Sequence, residues 1–257
     1  MIATTLVRIR HGDSVEINGA YQYRARNAGP VVQRFWHHEK ERMVRKFSAP
    51  GPGQRVLDVG CGSGVVADLL ASMGAVVTGV DANAKAIEFA RATFRRANLD
   101  FRCAYVEELD YASASIDGIY CLEVIEHLYQ QQVHALLATF ARLLRPGGVL
   151  TLTTPNYRGI WPVIELAMDR LRLAAPMAEH QHVTRFDRAS LRQALVGADW
   201  EILRLATFST FAPFLSVVNW RVAERCAEIE DRVDLPFGNL LMLLAKRRDG
   251  DGQAATP

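Results

Sequence analysis

The stretch that decides the fold is Val56-Leu57-Asp58-Val59-Gly60-Cys61-Gly62-Ser63-Gly64. A mostly apolar segment leads into three alternating glycines, and a second apolar run begins at Val65. This order predicts a buried strand, a tight glycine turn and the start of a helix. Glycines in such a turn permit positive φ angles and let a ligand approach the main chain closely. The unpaired N–H groups of the helix start then face an electron-rich ligand.

The glycine spacing argues against a dinucleotide site. Gly60 and Gly62 fit the pattern G-x-G-x-x-G/A, but Val65 stands at its last position and Gly64 comes one residue early. The carboxylate of Asp58, just before the turn, would repel a pyrophosphate. A carboxylate suits a ligand with a cationic amino-acid end and no phosphate, such as S-adenosylmethionine. A nicotinamide-dependent oxidoreductase is therefore disfavoured.

Working outward from this loop, short apolar strands alternate with segments of helical periodicity. The predicted strands are 55–59, 75–80, 100–105, 118–122, 149–153, 200–206 and 240–245. The predicted helices are 30–47, 65–73, 84–97, 133–144 and 188–196, with a helical insertion after Pro155. Strands and helices that alternate at this spacing predict β-α-β crossovers and a parallel sheet. The first thirty residues show no clear periodicity.

Composition narrows the class of protein. The chain has 257 residues, 49% of them hydrophobic and 23% charged, which is ordinary for a globular enzyme with a sizeable core. Lys and Arg number 30 against 28 Asp and Glu, so the net charge of +2 predicts no stable nucleic-acid complex. The four cysteines are far apart in the sequence, which argues against a disulfide framework and favours a reducing, cytoplasmic location.

A second acid follows the next predicted strand. Asp81 ends Gly79-Val80-Asp81, where a carboxylate can accept hydrogen bonds from both hydroxyls of a ribose. After the third strand, Tyr105-Val106-Glu107 would border an adenine ring. Two acids and a glycine loop at successive strand ends thus predict a nucleoside ligand.

In these features the chain resembles the class I S-adenosylmethionine-dependent methyltransferases. Asp58-x-Gly60-x-Gly62-x-Gly64 matches their first motif and Asp81 their ribose acid, and the resemblance covers roughly residues 54–205. It implies an α/β fold: a Rossmann-like, seven-stranded, mostly parallel sheet with one antiparallel edge strand and helices on both faces. Tyr105 departs from the aspartate of many relatives. The cofactor-binding residues that it implies are Asp58, Gly60, Cys61, Gly62, Gly64, Asp81, Ala82, Val106, Glu107 and Leu122.

The fourth strand leads into Glu123-Val124-Ile125-Glu126-His127. If the chain turns helical after Leu122, then Glu123, Glu126 and His127 share one helical face. One interpretation makes His127 a general base, oriented by Glu123, that takes a proton from a substrate hydroxyl. The other makes the three side chains ligands of a divalent cation, Mg²⁺ or Zn²⁺. Both interpretations suit methyl transfer to oxygen, and both stay open.

The same cluster resembles two branches of the family. Ubiquinone-biosynthesis O-methyltransferases carry a similar Glu-x-x-Glu-His and a helical insertion. Small-RNA 3′-terminal 2′-O-methyltransferases add a downstream histidine and bind a metal there, which implies His182 as a fourth ligand beside Glu123, Glu126 and His127. The sequence therefore favours O-methylation of a small lipophilic or phenolic acceptor. The alternatives are a metal-dependent RNA 2′-O-methyltransferase and a non-catalytic cofactor-binding protein.

We expect three parts of the chain. Residues 1–53 form an N-terminal segment with a helix that covers the cofactor, residues 54–247 form the methyltransferase domain, and residues 248–257 form a flexible tail. The insertion, residues 159–178, is predicted to be a helical lid over the acceptor and a point of peripheral membrane contact. No run of apolar residues is long enough to predict a membrane span. The oligomeric state cannot be predicted.

Overall fold

The computed structural model describes residues 19–170, 182–196 and 200–248. Within these residues the strands form one seven-stranded sheet in the order β3-β2-β1-β4-β5-β7-β6. Strands β1 to β6 all run in the same direction, and β7 runs antiparallel to its neighbours β5 and β6. The strands are β1 (Arg55–Val59), β2 (Val76–Asp81), β3 (Leu99–Cys103), β4 (Ile116–Leu122), β5 (Leu144–Pro155), β6 (Trp200–Phe208) and β7 (Leu240–Arg247).

Helices connect and cover these strands. The α-helices are α1 (Tyr21–Ala28), α2 (Val31–Phe47), α3 (Val65–Ser72), α4 (Ala84–Thr93), α5 (Gln130–Leu143), α6 (Trp161–Arg170), α7 (Arg188–Ala194), α8 (Ala212–Leu215) and α9 (Trp220–Val233). Two short 3-10 helices, Val106–Glu108 and Ile125–His127, follow β3 and β4. None of the helices described is long and apolar enough to cross a bilayer.

The predicted fold class is confirmed, with one refinement. The antiparallel strand is β7, which pairs with β5 on one side and β6 on the other. The edge strand on this side of the sheet is therefore β6, not the reversed strand. Seven of the eight residues of β7 pair with β5, and Leu240–Ala245 are almost entirely buried, as expected for a strand inside a sheet.

Apolar side chains cover both faces of the sheet. On β1, Leu57 and Val59 point into the core beneath α5 and α7, whereas Val56 points into the opposite core beneath α3 and α4. This alternation is the period of a strand, and it explains why β1 is apolar on both sides. Helices on both faces are thus confirmed. The sheet presents the carboxyl ends of β1, β2, β3 and β4 along one edge.

Two parts of the chain differ from the prediction. Helix α1 lies in the stretch where no periodicity was found. The chain after Leu122 forms a short 3-10 helix at Ile125–His127 instead of an α-helix from Glu123. The predicted insertion is helical through Arg170, and residues 171–178 lie outside the described residues. The same holds for residues 1–18 and for 249–257 of the predicted tail, so the division into three parts stays a prediction.

Candidate functional site

The glycine loop crosses the ends of β1 and β2. The N–H groups of Gly60 and Cys61 both donate to the carbonyl of Val80, at 2.8 and 3.1 Å. Gly60 has a φ of +73°, and a Cβ there would collide with the side chain of Val124. Only glycine fits this position because both the backbone angle and the neighbouring side chain exclude a larger residue. The glycine therefore lets Val124, in the segment after β4, lie directly against the main chain of the loop.

Asp81 holds the loop from the end of β2. One carboxylate oxygen accepts from the N–H of Gly62 and the other from the N–H of Asn83, both at 2.8 Å. Each carboxylate oxygen can accept a second hydrogen bond. The half-buried Asp81 therefore retains acceptor capacity for a diol, as its predicted ribose role requires.

Asp58 lies at the bottom of the site and is 2% exposed. Among the described residues, its Oδ2 finds no hydrogen-bond partner. Burial, together with the nearby charge of Asp81, raises the pKa of Asp58 to about 7, against a partly compensating hydrogen bond from the main chain of Ala67. A buried carboxylate of this kind is stabilised by a cationic ligand, so its environment fits the ammonium-bearing end of S-adenosylmethionine.

The other predicted cofactor residues lie around the same edge. Val106 is buried in the 3-10 helix after β3, and burial raises the pKa of its neighbour Glu107. Ala82 and Leu122 are half-buried at the ends of β2 and β4. The side chain of Cys61 packs into the core, so a ligand can meet only its main chain. Their contacts with the cofactor stay predictions.

Sequence reasoning missed the contribution of α1. Gln22 reaches over the loop, and its Oε1 accepts from the N–H of Ser63 at 3.2 Å. A Cβ at Gly62 would collide with this same amide. Helix α1 therefore covers the glycine loop, with Gln22 as the contacting side chain. An eight-residue helix shows too few turns for its periodicity to stand out, which is why the sequence gave no signal.

The structure brings together Glu126, His127 and His182. Each offers one ligand atom, and these atoms lie within 4.8 Å of one another. The rings of His127 and His182 are 5.1 Å apart between centroids. The two segments are tied at the main chain because Val183 and Thr184 donate to the carbonyl of Glu126, at 2.9 and 3.1 Å. Residues 55 positions apart in the chain thus form one cluster at the end of β4.

Glu126 is the buried member of the cluster. It is 1% exposed, and one oxygen accepts from the hydroxyl of Thr154 at 3.0 Å. Burial raises its pKa to about 8, and the charge of Glu123 adds to this effect. Of the predicted metal ligands, His127 and His182 lie with Glu126 in this cluster.

Glu123 stands apart from this cluster. Its φ is +57°, so the chain reverses direction at this residue and does not continue as a helix. The predicted single helical face of Glu123, Glu126 and His127 is therefore wrong. Glu123 instead forms an ion pair with Lys40 of α2 at 2.8 Å, and its Oε1 is buried with no partner among the described residues. Glu123 thus anchors the N-terminal helices above the site.

Aromatic side chains line the space beside the histidines. The hydroxyl of Tyr157 lies 2.8 Å from Nδ1 of His182. The ring of Trp161, at the start of α6, lies 6.0 Å from His182 and 5.3 Å from Trp36 of α2. Its buried Nε1 has no hydrogen-bond partner among the described residues. This arrangement forms an apolar wall with one unpaired donor, next to two imidazoles.

His37 of α2 also belongs to this covered region. Burial lowers its pKa to about 2, and the neighbouring charges of Lys40 and Arg26 act in the same direction. His37 is therefore neutral at every physiological pH.

The ligand atoms of the cluster suit Zn²⁺ better than Mg²⁺. Two imidazoles and one carboxylate are the ligands that catalytic zinc takes, whereas Mg²⁺ prefers oxygen ligands. Glu126, His127 and His182 could therefore hold Zn²⁺, which would polarise a bound oxygen and lower its pKa. Glu123 lies outside this set.

A family model described as a methyltransferase domain matches residues 23–205. The match covers well over half of the chain and includes the glycine loop, both acids and the histidine cluster. The chain therefore belongs to the methyltransferase-domain family, and the class I S-adenosylmethionine-dependent methyltransferase and its cofactor predicted from the sequence are confirmed.

Relatives of known name agree with this family. The chain is 36% identical over 135 residues to a ubiquinone biosynthesis O-methyltransferase of Idiomarina loihiensis, covering 51% of this chain and 54% of the relative. It is 32% identical over 160 residues to a protein of the same name from Rhizobium leguminosarum bv. trifolii, covering 61% and 63%. In both cases the chain matches less than two thirds of the relative's length.

Solved structures share the fold. The crystal structure of magnesium protoporphyrin IX methyltransferase from Synechocystis PCC 6803 with bound SAH superposes with a TM-score of 0.61 at 20% identity. The superposition covers 90% of this chain and 95% of that one. At this identity the likeness shows the architecture alone.

The ribose role of Asp81 can be tested by substitution. We expect Asp81→Ala to weaken the binding of S-adenosylhomocysteine by about 1–3 kcal/mol, the loss of hydrogen bonds to a charged group. Calorimetric titration of the purified protein measures this directly. Asp110→Ala removes an exposed carboxylate elsewhere and serves as the control. An affinity equal to that of the wild type would remove Asp81 from the cofactor site.

Proposed function

We propose that this chain transfers a methyl group from S-adenosylmethionine to a hydroxyl oxygen of a small lipophilic or phenolic acceptor. One observation carries the proposal. The imidazoles of His127 and His182 lie together after the carboxyl end of β4, and His182 lies against the apolar wall of Trp36 and Trp161. Val124, three residues before His127, lies against Gly60 of the glycine loop. This arrangement supports a site in which proton-accepting groups lie next to an apolar acceptor.

The chemistry asks for activation of the acceptor oxygen. Bound S-adenosylmethionine supplies an electrophilic methyl group whose carbon–sulfur bond breaks with the electron pair left on sulfur. A phenol titrates near pH ~10, so its nucleophilic anion is scarce at neutral pH. In this proposal a ring nitrogen of His127 takes the hydroxyl proton as the oxygen–carbon bond forms. The remaining task of the protein is to align oxygen, methyl carbon and sulfur.

The neighbours of His127 support this role. The hydroxyl of Tyr157 shares a hydrogen bond with Nδ1 of His182, which fixes the orientation of that imidazole against His127. Glu126 anchors the segment through its main chain and through Thr154. Glu123, first proposed to orient His127, contacts Lys40 instead. Its role in the proposal is therefore to hold α2 over the acceptor space.

A metal-assisted version of the same reaction uses the same residues. Glu126, His127 and His182 would then hold Zn²⁺, and the acceptor hydroxyl, made more acidic by the ion, would lose its proton to water. The two versions differ in whether His127 is free to accept a proton. Calorimetry with zinc added to metal-stripped protein separates them, because only the second version predicts a heat that Glu126→Ala removes.

A lipophilic acceptor fits the walls of the site. The rings of Trp36 and Trp161 present apolar surface, while Nε1 of Trp161 and Oε1 of Glu123 offer one buried donor and one buried acceptor. Ligand sites typically combine an apolar lining with a few unpaired polar groups that orient the ligand. The names of the relatives, ubiquinone biosynthesis O-methyltransferases, support methyl transfer to oxygen.

Methyl transfer to a graded set of acceptors tests the proposal. Catechols with alkyl tails of increasing length and a short 3′-hydroxyl RNA are incubated with methyl-labelled S-adenosylmethionine, and the products are identified by mass spectrometry. We expect O-methylated catechols, with a specificity constant that rises with tail length because the tail buries apolar surface. Label on the RNA alone would establish the RNA 2′-O-methyltransferase alternative instead. No product with any acceptor, despite cofactor binding, would favour a non-catalytic protein.

A further inference from the structure

An apolar surface lies on α8, α9 and the segments that flank them, away from the histidine cluster. Its side chains are 41–84% exposed, although they are large and hydrophobic. We call these residues the α8–α9 surface: Phe211, Phe214, Val217, Val218, Val222, Ile229, Val233 and Phe237. Single exposed apolar residues are common, but a contiguous group of this size marks an interaction site.

Helix α9 exposes two parallel stripes of side chains, one apolar and part of this surface, the other charged and next to it. Val222, Ile229 and Val233 recur at helical spacing and are 50%, 60% and 59% exposed. The adjacent stripe consists of charged residues at the same spacing: Arg221, Arg225, Glu228 and Arg232. Three arginines and one glutamate make this stripe basic. The opposite side of the helix is buried through Ala223 and Ala227.

The surface is held outward by buried ion pairs and hydrogen bonds. The carboxylate of Glu230, 4% exposed, accepts main-chain N–H groups at the start of α8, with distances of 2.6–3.2 Å: Thr210, Phe211 and Ala212. Asp231 accepts from the guanidinium of Arg42 on α2 at 2.5 and 3.0 Å. Since both acids point into the protein, α9 cannot rotate its apolar stripe inward without breaking these contacts. The exposed face is therefore a fixed feature of the fold.

We propose that the α8–α9 surface docks on the surface of an anionic lipid bilayer. A helix with an apolar stripe beside a basic stripe lies in the plane of a membrane, with its apolar side chains among the acyl chains and its arginines at the headgroup phosphates. The charge favours this occupant, because the exposed charged residues beside the apolar stripe are three arginines and one glutamate. Negatively charged headgroups complement the basic stripe.

A path of ring contacts, hydrogen bonds and neighbouring residues in the chain connects the surface to the site. The ring of Phe237 lies 6.2 Å from that of Phe211, and the next residue, Gly238, accepts from the side chain of Asn156 at 2.8 Å. Asn156 precedes Tyr157, which contacts His182. A protein docked in this way would hold its acceptor space near the bilayer, where lipophilic acceptors dissolve. The docking rests on the exposed side chains of α8 and α9 and not on the identity of the acceptor.

Vesicle co-sedimentation of the full chain tests the docking. The probes are vesicles of phosphatidylcholine with phosphatidylglycerol, and vesicles of phosphatidylcholine alone. We expect binding to the anionic vesicles that weakens as salt is raised, since the arginine contacts are screened. Changing Arg221, Arg225 and Arg232 together to Gln should weaken partitioning on the order of 100-fold, and Glu228→Gln should strengthen it roughly fivefold. Val222→Glu combined with Ile229→Glu should abolish it.

The controls use matched exposed residues. Val76→Glu changes a valine that is 48% exposed on β2, and a triple change of Arg55, Arg95 and Arg102 to Gln removes the same charge elsewhere. Both controls should bind like the wild type, and calorimetry with S-adenosylhomocysteine confirms that every variant is folded. The proposal is overturned if the α9 variants bind vesicles like the wild type. It is also overturned if Val163→Glu with Leu166→Glu on α6 alone abolishes binding, or if the α9 changes only dissociate a dimer.

Discussion

Replacing His127 with alanine is expected to lower methyl-transfer turnover about a hundred- to ten-thousand-fold while the affinity for S-adenosylhomocysteine stays near that of the wild type. The size follows from removing a positioned general base. The separation of the two effects follows from the structure, because His127 lies in the 3-10 helix after β4 and faces His182, whereas Asp58 and Asp81 flank the glycine loop. Turnover and binding thus depend on different residues.

The measurement is single-turnover methyl transfer to the best catechol, with cofactor affinity measured in parallel by calorimetry. His134→Ala is the matched control because His134 is an exposed histidine on α5, and it should leave turnover unchanged. A His127→Ala enzyme with normal turnover would exclude His127 from catalysis. A loss of turnover that follows a loss of cofactor binding would show that the histidine supports the fold of the loop.

His182→Ala distinguishes the two versions of the reaction. If His127 acts alone as a base, then removing His182 disturbs its packing and lowers turnover less than His127→Ala does. If the cluster holds zinc, then either substitution removes a ligand, and both should abolish the zinc heat in calorimetry. The two substitutions therefore read out the mechanism through a binding measurement as well as through activity.

The sequence was sufficient for the features that depend on local patterns. The strand, glycine loop and helix around Asp58 could be predicted because each follows from the chemistry of neighbouring residues. The alternation of elements then predicted the parallel sheet. The place of β7 beside β5 could not be predicted this way, because the pairing of late strands depends on contacts between residues about 90 positions apart.

The acceptor side of the site was less accessible from sequence for the same reason. Lys40 and Glu123 are 83 positions apart, and no local signal links them. The positive φ of Glu123 breaks the helical face that would otherwise have joined it to Glu126. His182 was predicted only through a resemblance, whereas Trp36 and Gln22 were not predicted at all. The contacts of the N-terminal helices with the site thus could not be predicted from sequence periodicity.

The second large effect concerns Asp58, the buried acid beneath the glycine loop. We expect Asp58→Asn to weaken S-adenosylhomocysteine binding at pH 8 by about 1.5–3 kcal/mol, the contribution of a hydrogen bond to a charged group. The wild-type affinity should rise from pH 5 to pH 8 as a carboxyl with a pKa of about 7 ionises, and the affinity of the variant should not. Calorimetric titration across this range measures both. Asp100→Asn, an exposed acid on β3, is the control.

The same substitution should have the opposite effect on the free energy of unfolding without ligand. A carboxyl whose pKa is raised on folding, from 3.8 to about 7, destabilises the folded protein above pH 3.8, and the full effect is present above pH 7. From pH 5 to pH 8 the free energy of unfolding of the variant should therefore rise by about 2–3 kcal/mol relative to that of the wild type. The buried amide itself costs about 1–3 kcal/mol at every pH, so the change with pH is the diagnostic quantity.

Urea unfolding of both proteins at the two pH values gives this difference. A variant that binds more weakly but is relatively more stable at high pH would show that Asp58 is kept charged for the ligand at the expense of the fold. Equal pH dependence in the two proteins would mean that Asp58 is ionised and stabilised without the cofactor. Its unpaired Oδ2 would then have a partner within the protein, and the cationic end of the cofactor would have to be bound by another residue.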